Sequence, residues 1–456
     1  MKKFGILLLL LAAMVNGLFA KAKPVQQGSI ISVSDIHFNP YFDPSLVTKL
    51  VQSGYKQWPA IFASSAVKQP NTYNSDSNFP LFKSALAAMK QQNASPAFMV
   101  ITGDFLCHSF QENFNTNAPS YPDSLKSFTS KTIQFMAMMF NQYFPQTVVL
   151  PVLGNNDSYC GDYQVEADGA FLNMFAKAWA PLQRNHSAAL DKAFISSFSK
   201  GGYYTYTLRD GSGGKMVMLN TVFFSAKYTS CGVQTGNPAG TELQWLTGVL
   251  KHGQQQKSKL WLAMHIPPGI DVNSTLKYGS VTSMWADSCN TAFISLLTQY
   301  APIIKAGLCG HTHMDDFRLL YNSAGTPISF FHITPAVSPL FDNNPGFQCI
   351  SYSKAPFTLL NIKTYYLNVS TSGKPWALEY DYQKTYGVTG INPASVDAVR
   401  KKISSNPTYR NYYINYYDVN NPTLNGINQQ NWMGYWCGTG NLTSAGFSAC
   451  YSTTAK

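Results

Sequence analysis

Charge is scarce in this chain. Only 12% of its 456 residues are Asp, Glu, Lys or Arg, and acids are the rarer kind, 22 against 33 basic residues. So low a charge fraction, beside 45% hydrophobic residues, excludes a self-repelling disordered chain and supports a sizeable core. Beyond the amino-terminal segment no stretch reaches about 18 consecutive apolar residues, so no spanning helix is expected there. The net charge is +11, yet there is no dense Lys/Arg block and no nucleic-acid motif, which leaves a nucleic-acid partner without support. No internal repeat or low-complexity tract appears, which excludes solenoid and fibrous architectures.

What is present begins with "MKKFGILLLLLAAMVNGLFAKAK". Lys2 and Lys3 form a positive head, an apolar run follows from Phe4 to about Val15, and Ala20 and Ala22 offer small residues for cleavage. This pattern predicts a signal peptide over 1–22 and a mature protein that is secreted or periplasmic. Eight Cys can form disulfides in that setting, and eight allow 105 connectivities. Cys437 and Cys450 can close a short loop in the tail, whereas Cys309, inside an apolar run, reads as a buried free thiol. The basic balance favours small polyanions: nucleotides, polyphosphate or anionic lipid headgroups.

Seven short apolar runs read as buried strands: 29–37, 97–104, 147–157, 215–222, 260–268, 302–313 and 328–339. Between them, 79–92, 124–144 and 240–256 carry helical spacing; the first follows Asp76 and Ser77 and has Pro80 in its first turn. Strand-helix alternation with continuous apolar strands argues for an α/β layered core. Residues 364–383 read as a hairpin that closes it. From about 385 the composition changes to a helical stretch, a Tyr-rich amphipathic stretch and a Gly/Asn-rich loop segment bearing Cys437 and Cys450. The expected organisation is therefore a catalytic domain over 23–384 and a small helical cap over 385–456.

Metal-binding residue types stand at the ends of five of these strands. They are Asp35 and His37 in "SDIH", Asp104 in "TGDF", Asn155 in "GNND", His265 in "MHIPP", and His311 and His313 in "CGHTH". Carboxyl ends of strands are where sites assemble in α/β sheets. One Asp before a turn is commonly a cap and one His commonly a core residue, but five such ends in order point to metal. Two divalent ions about 3.5–4 Å apart need a bridging carboxylate, nitrogen or oxygen ligands, and open positions. Asp35, His37, Asp104 and His313 can hold one ion; Asp104, Asn155, His265 and His311 can hold the other, with Asp104 bridging. Two Asp and a bridging hydroxide leave a surplus of one positive charge on the pair, which draws in a phosphate oxygen. Zinc suits these donors best, and manganese or iron accept much the same set.

The order D-x-H, G-D, G-N, H, G-H-x-H over about 29–340 resembles the calcineurin-like metallophosphoesterases. "TPAVSPLFDNNPGF" (334–347) and the helical, Cys-bearing tail are similar to the acid sphingomyelinase-like phosphodiesterases. The resemblance implies a two-sheet α/β/α sandwich, a dinuclear zinc site, and hydrolysis of phosphoester or phosphoanhydride bonds by a metal-bridging hydroxide. With only about ten residues between the signal and the first strand, the chain is expected to lack the saposin-type domain of the acid sphingomyelinases proper. That favours nucleotides or phosphocholine-type esters over sphingomyelin. Polyphosphate hydrolysis by an endopolyphosphatase-like activity, and ligand binding on a weakened phosphoesterase fold, are the alternatives. A monomer acting on a small phosphodiester is the simplest assembly.

One position departs from the pattern. The His that usually follows the metal-binding Asn is here Asn156, which can donate an amide hydrogen bond to a phosphate oxygen but cannot act as an acid. By position alone His108 reads as an exposed loop residue. The resemblance, in which a second His stands four residues after the bridging Asp, implies instead that His108 is the proton donor. Asp157, which ordinarily orients the missing His, is expected to hold Asn156 or to cap the following helix.

Overall fold

A computed structural model describes residues 26–454 except 186, 234–235, 372 and 422–425. The expected signal peptide and His186 lie outside the described residues. Two six-stranded sheets form the centre. The first runs, in spatial order, Ala377–Asp381 (β12), Thr358–Tyr366 (β11), Gly346–Ser353 (β10), Gln27–Val33 (β1), Phe98–Ile101 (β2) and Val148–Pro151 (β3). The second runs Tyr204–Thr207 (β4), Gly214–Met218 (β5), Lys259–Ala263 (β6), Ile304–Cys309 (β7), Pro327–Ile333 (β9) and Asp316–Tyr321 (β8). β1, β2 and β3 pair in parallel, as do β5, β6, β7 and β9; β10, β11 and β12 join the first sheet antiparallel, and β4 and β8 flank the second antiparallel.

The sheets meet through large apolar side chains. Trp261 of β6 stacks on Phe357 with centroids 4.3 Å apart and lies edge-on to Tyr352 of β10 at 5.3 Å. All three are fully buried, and each such side chain contributes about 1.5–3 kcal/mol of burial. Helices Phe79–Gln92 and Leu125–Tyr143 cover the first sheet, and helices Pro238–Gln255 and Asp287–Tyr300 cover the second. The parallel strands thereby present their carboxyl ends at one edge of the sandwich, which sets the place of the site.

Helix Phe79–Gln92 has the expected bounds and is capped by Asn78, whose side chain accepts from the Leu81 amide. One reading needs correction. The Gly/Asn-rich segment near Cys437 is helical, not a loop: Trp432–Gly440 and Ser444–Thr454 are helices joined by the Cys437–Cys450 disulfide. Its glycines serve close packing. A Cβ on Gly438 would lie 2.5 Å from Val272 Cγ2, and one on Gly440 would lie 2.5 Å from Arg400 Nε. Helix Pro393–Ser405, with Asn392 and Ser395 forming a capping box, lies against β8 and β9. A second disulfide, Cys160–Cys231, had no signal in residue spacing, and Cys309 is buried and free.

Candidate metal centre

The loops leaving β1, β2, β3, β6 and β7 bring all seven expected ligand residues together. Asp104 Oδ2 lies 3.4 Å from His37 Nε2 and 3.2 Å from His265 Nε2. Asp35 Oδ1 lies 3.8 Å from His37 Nε2, 3.6 Å from His313 Nε2 and 4.0 Å from His265 Nε2. Asn155 Oδ1 is 2.9 Å from His265 Nε2. The His311 ring meets His265 at 5.1 Å between centroids, and its backbone N–H donates to Asp35 Oδ2 at 3.0 Å. The atoms fall into two groups, Asp35 with Asp104 and His265, and His37 with His108 and His313.

Local sequence explains the convergence. Asp35, His37, Asp104, His311 and His313 all have positive φ, between 43° and 75°. Non-glycine residues held there cost on the order of 1–3 kcal/mol each, a pattern concentrated at functional sites. The glycines of "GN" and "GH" are required by close approach: a Cβ on Gly154 would lie 2.1 Å from Asp104 Oδ1, and one on Gly310 would lie 1.9 Å from Ser34 Oγ. Two ring orientations are also set from behind. His37 Nδ1 faces the Leu106 carbonyl at 2.9 Å and His265 Nδ1 the Thr102 carbonyl at 2.7 Å, so Nε2 of each is turned inward.

The electrostatics test whether cations fit. Asp35 and Asp104 are buried, and no Lys or Arg pairs with either among the described residues. Burial pushes Asp104 up, but the imidazoles of His265 and His37 outweigh it and hold the carboxyl well below its usual range. The same balance lowers Asp35, through His265 and His313. Conversely, burial pulls His37 and His265 down, yet the Asp104 carboxylate lifts them to about 10 and about 9. Burial lowers His311 to about 4 and His313 to about 3. Two buried carboxylates thus demand positive charge, while two neutral imidazoles and an amide oxygen point into the same space. His37 Nε2 and His313 Nε2 face each other at 3.1 Å, and His313 Nδ1 is buried without a hydrogen-bond partner. This donor set fits two divalent metal ions.

His108 stands at the cluster, stacked on His37 with centroids 4.1 Å apart. Its backbone N–H donates to Asp76 Oδ2 at 2.8 Å, and its Nδ1 lies 3.2 Å from both Asp76 oxygens. Asp76 also accepts from Ser338 Oγ at 2.8 Å. Burial pushes the Asp76 carboxyl up, but the His108 and His37 contacts bring it to about 2, so it is ionised. Asn156 does not offer its amide to the cavity. Its Nδ2 donates to Asp104 Oδ2 at 2.9 Å and its backbone N–H to Asp104 Oδ1 at 2.8 Å, and the residue is 4% exposed. Asp157 neither holds Asn156 nor caps a helix. It accepts backbone N–H bonds from Asp104, Phe105, Leu106 and Gly154, tying the β2 and β3 loops together.

A cavity of about 510 Å³ opens over the cluster and is lined by Asp104, His108, Asn155, His311 and His313. Around these stand Asp162, Tyr163, Lys227, Asp271 and Phe341, none of which the sequence singled out. Asp162 accepts from Asn155 Nδ2 at 2.7 Å, and Tyr163 Oη lies 3.3 Å from His311 Nε2. Phe341 is 51% exposed, with its ring edge-on to His313 at 4.6 Å. Their one sequence signal was proximity: Asp162 and Tyr163 follow "GNND", and Phe341 lies within the 334–347 stretch. His332 is buried against Gln348 in β10, and His252 is exposed.

Comparison with known proteins agrees with this geometry. Residues 326–455 match the family described as the acid sphingomyelin phosphodiesterase C-terminal region. The chain is 28% identical over 421 residues to human acid sphingomyelinase-like phosphodiesterase 3b, covering 87% of this chain and 83% of that one. It is 25% identical over 415 residues to the human cyclic GMP-AMP phosphodiesterase SMPDL3A, covering 87% and 84%. Among solved structures, a dimetal phosphatase from Danio rerio aligns with a TM-score of 0.42 at 10% identity, covering 77% of this chain and 98% of that one. Relatives that align along most of the chain, together with a matching carboxyl-terminal region, make the chain similar to the acid sphingomyelinase-like phosphodiesterases.

Proposed function

We propose that the protein is a secreted hydrolase of small phosphodiesters, nucleotides foremost, working with two zinc ions. The observation that carries this reading is the gathering of Asp35, His37, Asp104, Asn155, His265, His311 and His313 beneath an open cavity that Asp104, Asn155, His311 and His313 line. These seven would hold the ions, and Asp104, which faces both His37 and His265, could serve either one. When bound, the two ions neutralise phosphoryl charge and activate water as a nucleophile. His108 supplies the proton. Its Nδ1 is engaged by ionised Asp76, which leaves Nε2 available to a leaving oxygen. Asn156 acts by orienting Asp104, and Asp157 by holding the two loops in register. A cavity of about 510 Å³ with the exposed face of Phe341 at its edge accommodates a nucleobase and supports a nucleotide over a bare polyphosphate. Two disulfides suit an oxidising compartment outside the cytoplasm. Residues 23–384 serve as the catalytic unit, and the helices after 385 serve as a cap packed on β8 and β9.

The test is a substrate panel on protein loaded in turn with zinc, manganese and iron: bis-p-nitrophenyl phosphate, ATP, CDP-choline, sphingomyelin and polyphosphate. Metal-dependent turnover of the first two is expected. Metal uptake without turnover of any of them would replace the enzyme reading with a binding protein.

A further inference from the structure

We propose that Lys227 forms a second anion subsite in the cavity wall, receiving a non-scissile phosphate of the substrate. Nucleotides bearing a di- or triphosphate are then favoured over esters with a single phosphate and over choline esters. The proposal rests on the phosphodiesterase reading above and narrows its substrate class.

One wall of the cavity is built from residues 160–165 and 225–231. The Cys160–Cys231 disulfide joins the two segments, and Gln164 and Thr229 share a parallel bridge. The Thr229 N–H donates to the Tyr163 carbonyl at 3.1 Å, and Tyr228 Oη donates to the Val165 carbonyl at 3.1 Å. On this braced wall Lys227 is exposed, and its Nζ lies 5.2 Å from the centroid of the Tyr163 ring. Tyr163 Oη in turn contacts His311, so the ammonium is one aromatic ring away from the proposed metal ligands.

The other charges around the cavity are engaged. Arg318 pairs with Asp316. Asp162 accepts from Asn155, and Asp271 caps the helix Val272–Tyr278 by accepting from the Ser274 N–H. Asp342 accepts from Asn74 Nδ2 at 3.2 Å. Among the described residues Lys227 takes part in no ion pair. A compact ammonium on a braced wall, facing a cavity whose floor receives a phosphoryl group, is a recogniser of a second phosphate and repels a quaternary ammonium.

The variant for the test is Lys227→Met, which keeps the alkyl stem on the Tyr163 ring and removes the charge. Its KM is compared with that of the wild type for ATP and for the p-nitrophenyl ester of thymidine 5′-monophosphate, which has one phosphate. The KM for ATP is expected to rise about ten-fold, with kcat unchanged and the monophosphate ester unaffected. Calorimetric titration with a non-hydrolysable ATP analogue is expected to show the same loss of affinity. Equal changes on both esters, or an unchanged KM for ATP, would overturn the subsite. A wild-type protein that turns over neither ester would defeat the phosphodiesterase reading alone. Analogue binding then decides Lys227: a ten-fold difference sustains the subsite, and an analogue bound equally or not at all refutes it.

Discussion

His108 and Asp76 are 32 residues apart in the chain and make a charge-assisted pair beside the metal centre. A general acid contributes about 10²–10⁴-fold, and most where the leaving oxygen is a poor one. His108→Ala is therefore expected to lower kcat on an alkyl phosphodiester, whose alkoxide is a poor leaving group, by about 100-fold or more. It should lower kcat on bis-p-nitrophenyl phosphate far less, since p-nitrophenolate leaves without a proton. Equal losses on both would remove the proton-donor role. Asn156 works through Asp104, which loses one of its donors in Asn156→Ala. Metal affinity measured by chelator competition is expected to fall by about 10–100-fold, the usual cost of a lost outer-shell hydrogen bond. Unchanged affinity would place Asn156 in another role. The seven proposed ligands were legible in the sequence because each sits at a strand end in a short motif. The partners of His108 and Asn156 were not, because a hydrogen bond across a cavity leaves no trace in spacing.

At the scale of elements, the junction between β12 and the carboxyl-terminal helices is acidic and buried. Both carboxylate oxygens of Glu379, in β12, and of Asp418, just after helix Pro407–Tyr417, are buried without a hydrogen-bond partner. Burial, reinforced by Asp315 and Asp418, pushes Glu379 well above its usual range, and burial pushes Asp418 up to about 7. Tyr380, Tyr386 and Tyr416 surround Glu379. Carboxyls raised in the folded chain favour folding when protonated. Their contribution is complete below the unfolded pKa, near about 4, and is lost as pH rises through the folded value. The thermal midpoint of the metal-loaded protein is expected to be higher at about pH 5 than at about pH 8. Glu379→Gln should flatten that slope, changing the midpoint by about 2–4 °C. A midpoint that rises with pH in wild type and variant alike would exclude these carboxyls as its cause. The bounds of helix Phe79–Gln92 could be read from its apolar spacing and Pro80. The helices Trp432–Gly440 and Ser444–Thr454 could not, because contacts with Val272 and Arg400 and a disulfide override the loop preference of their glycines.

At the scale of the molecule, the metal centre lies where the two sheets meet, so metal and fold are coupled. Asp35, His37, Asp104 and Asn155 come from the first sheet, and His265, His311 and His313 from the second. Removing the ions leaves two buried carboxylates balanced only by protons on His37 and His265. Exhaustive chelation is expected to lower the thermal midpoint, and zinc should restore it; elemental analysis of the restored protein should find about two ions per chain. A midpoint insensitive to chelation would separate the ions from the fold.

The sequence by itself determined which residue types stand at which strand ends, and hence the resemblance and the candidate ligand set, because strand period, glycine-ligand pairs and motif order are local properties. Tertiary structure alone decided the rest. It joined Cys160 to Cys231, set Asp76 behind His108, turned Asn156 onto Asp104 and placed Lys227 on the cavity wall. Each of these pairs depends on distances through space between distant segments, and the packing of the two sheets is what sets those distances.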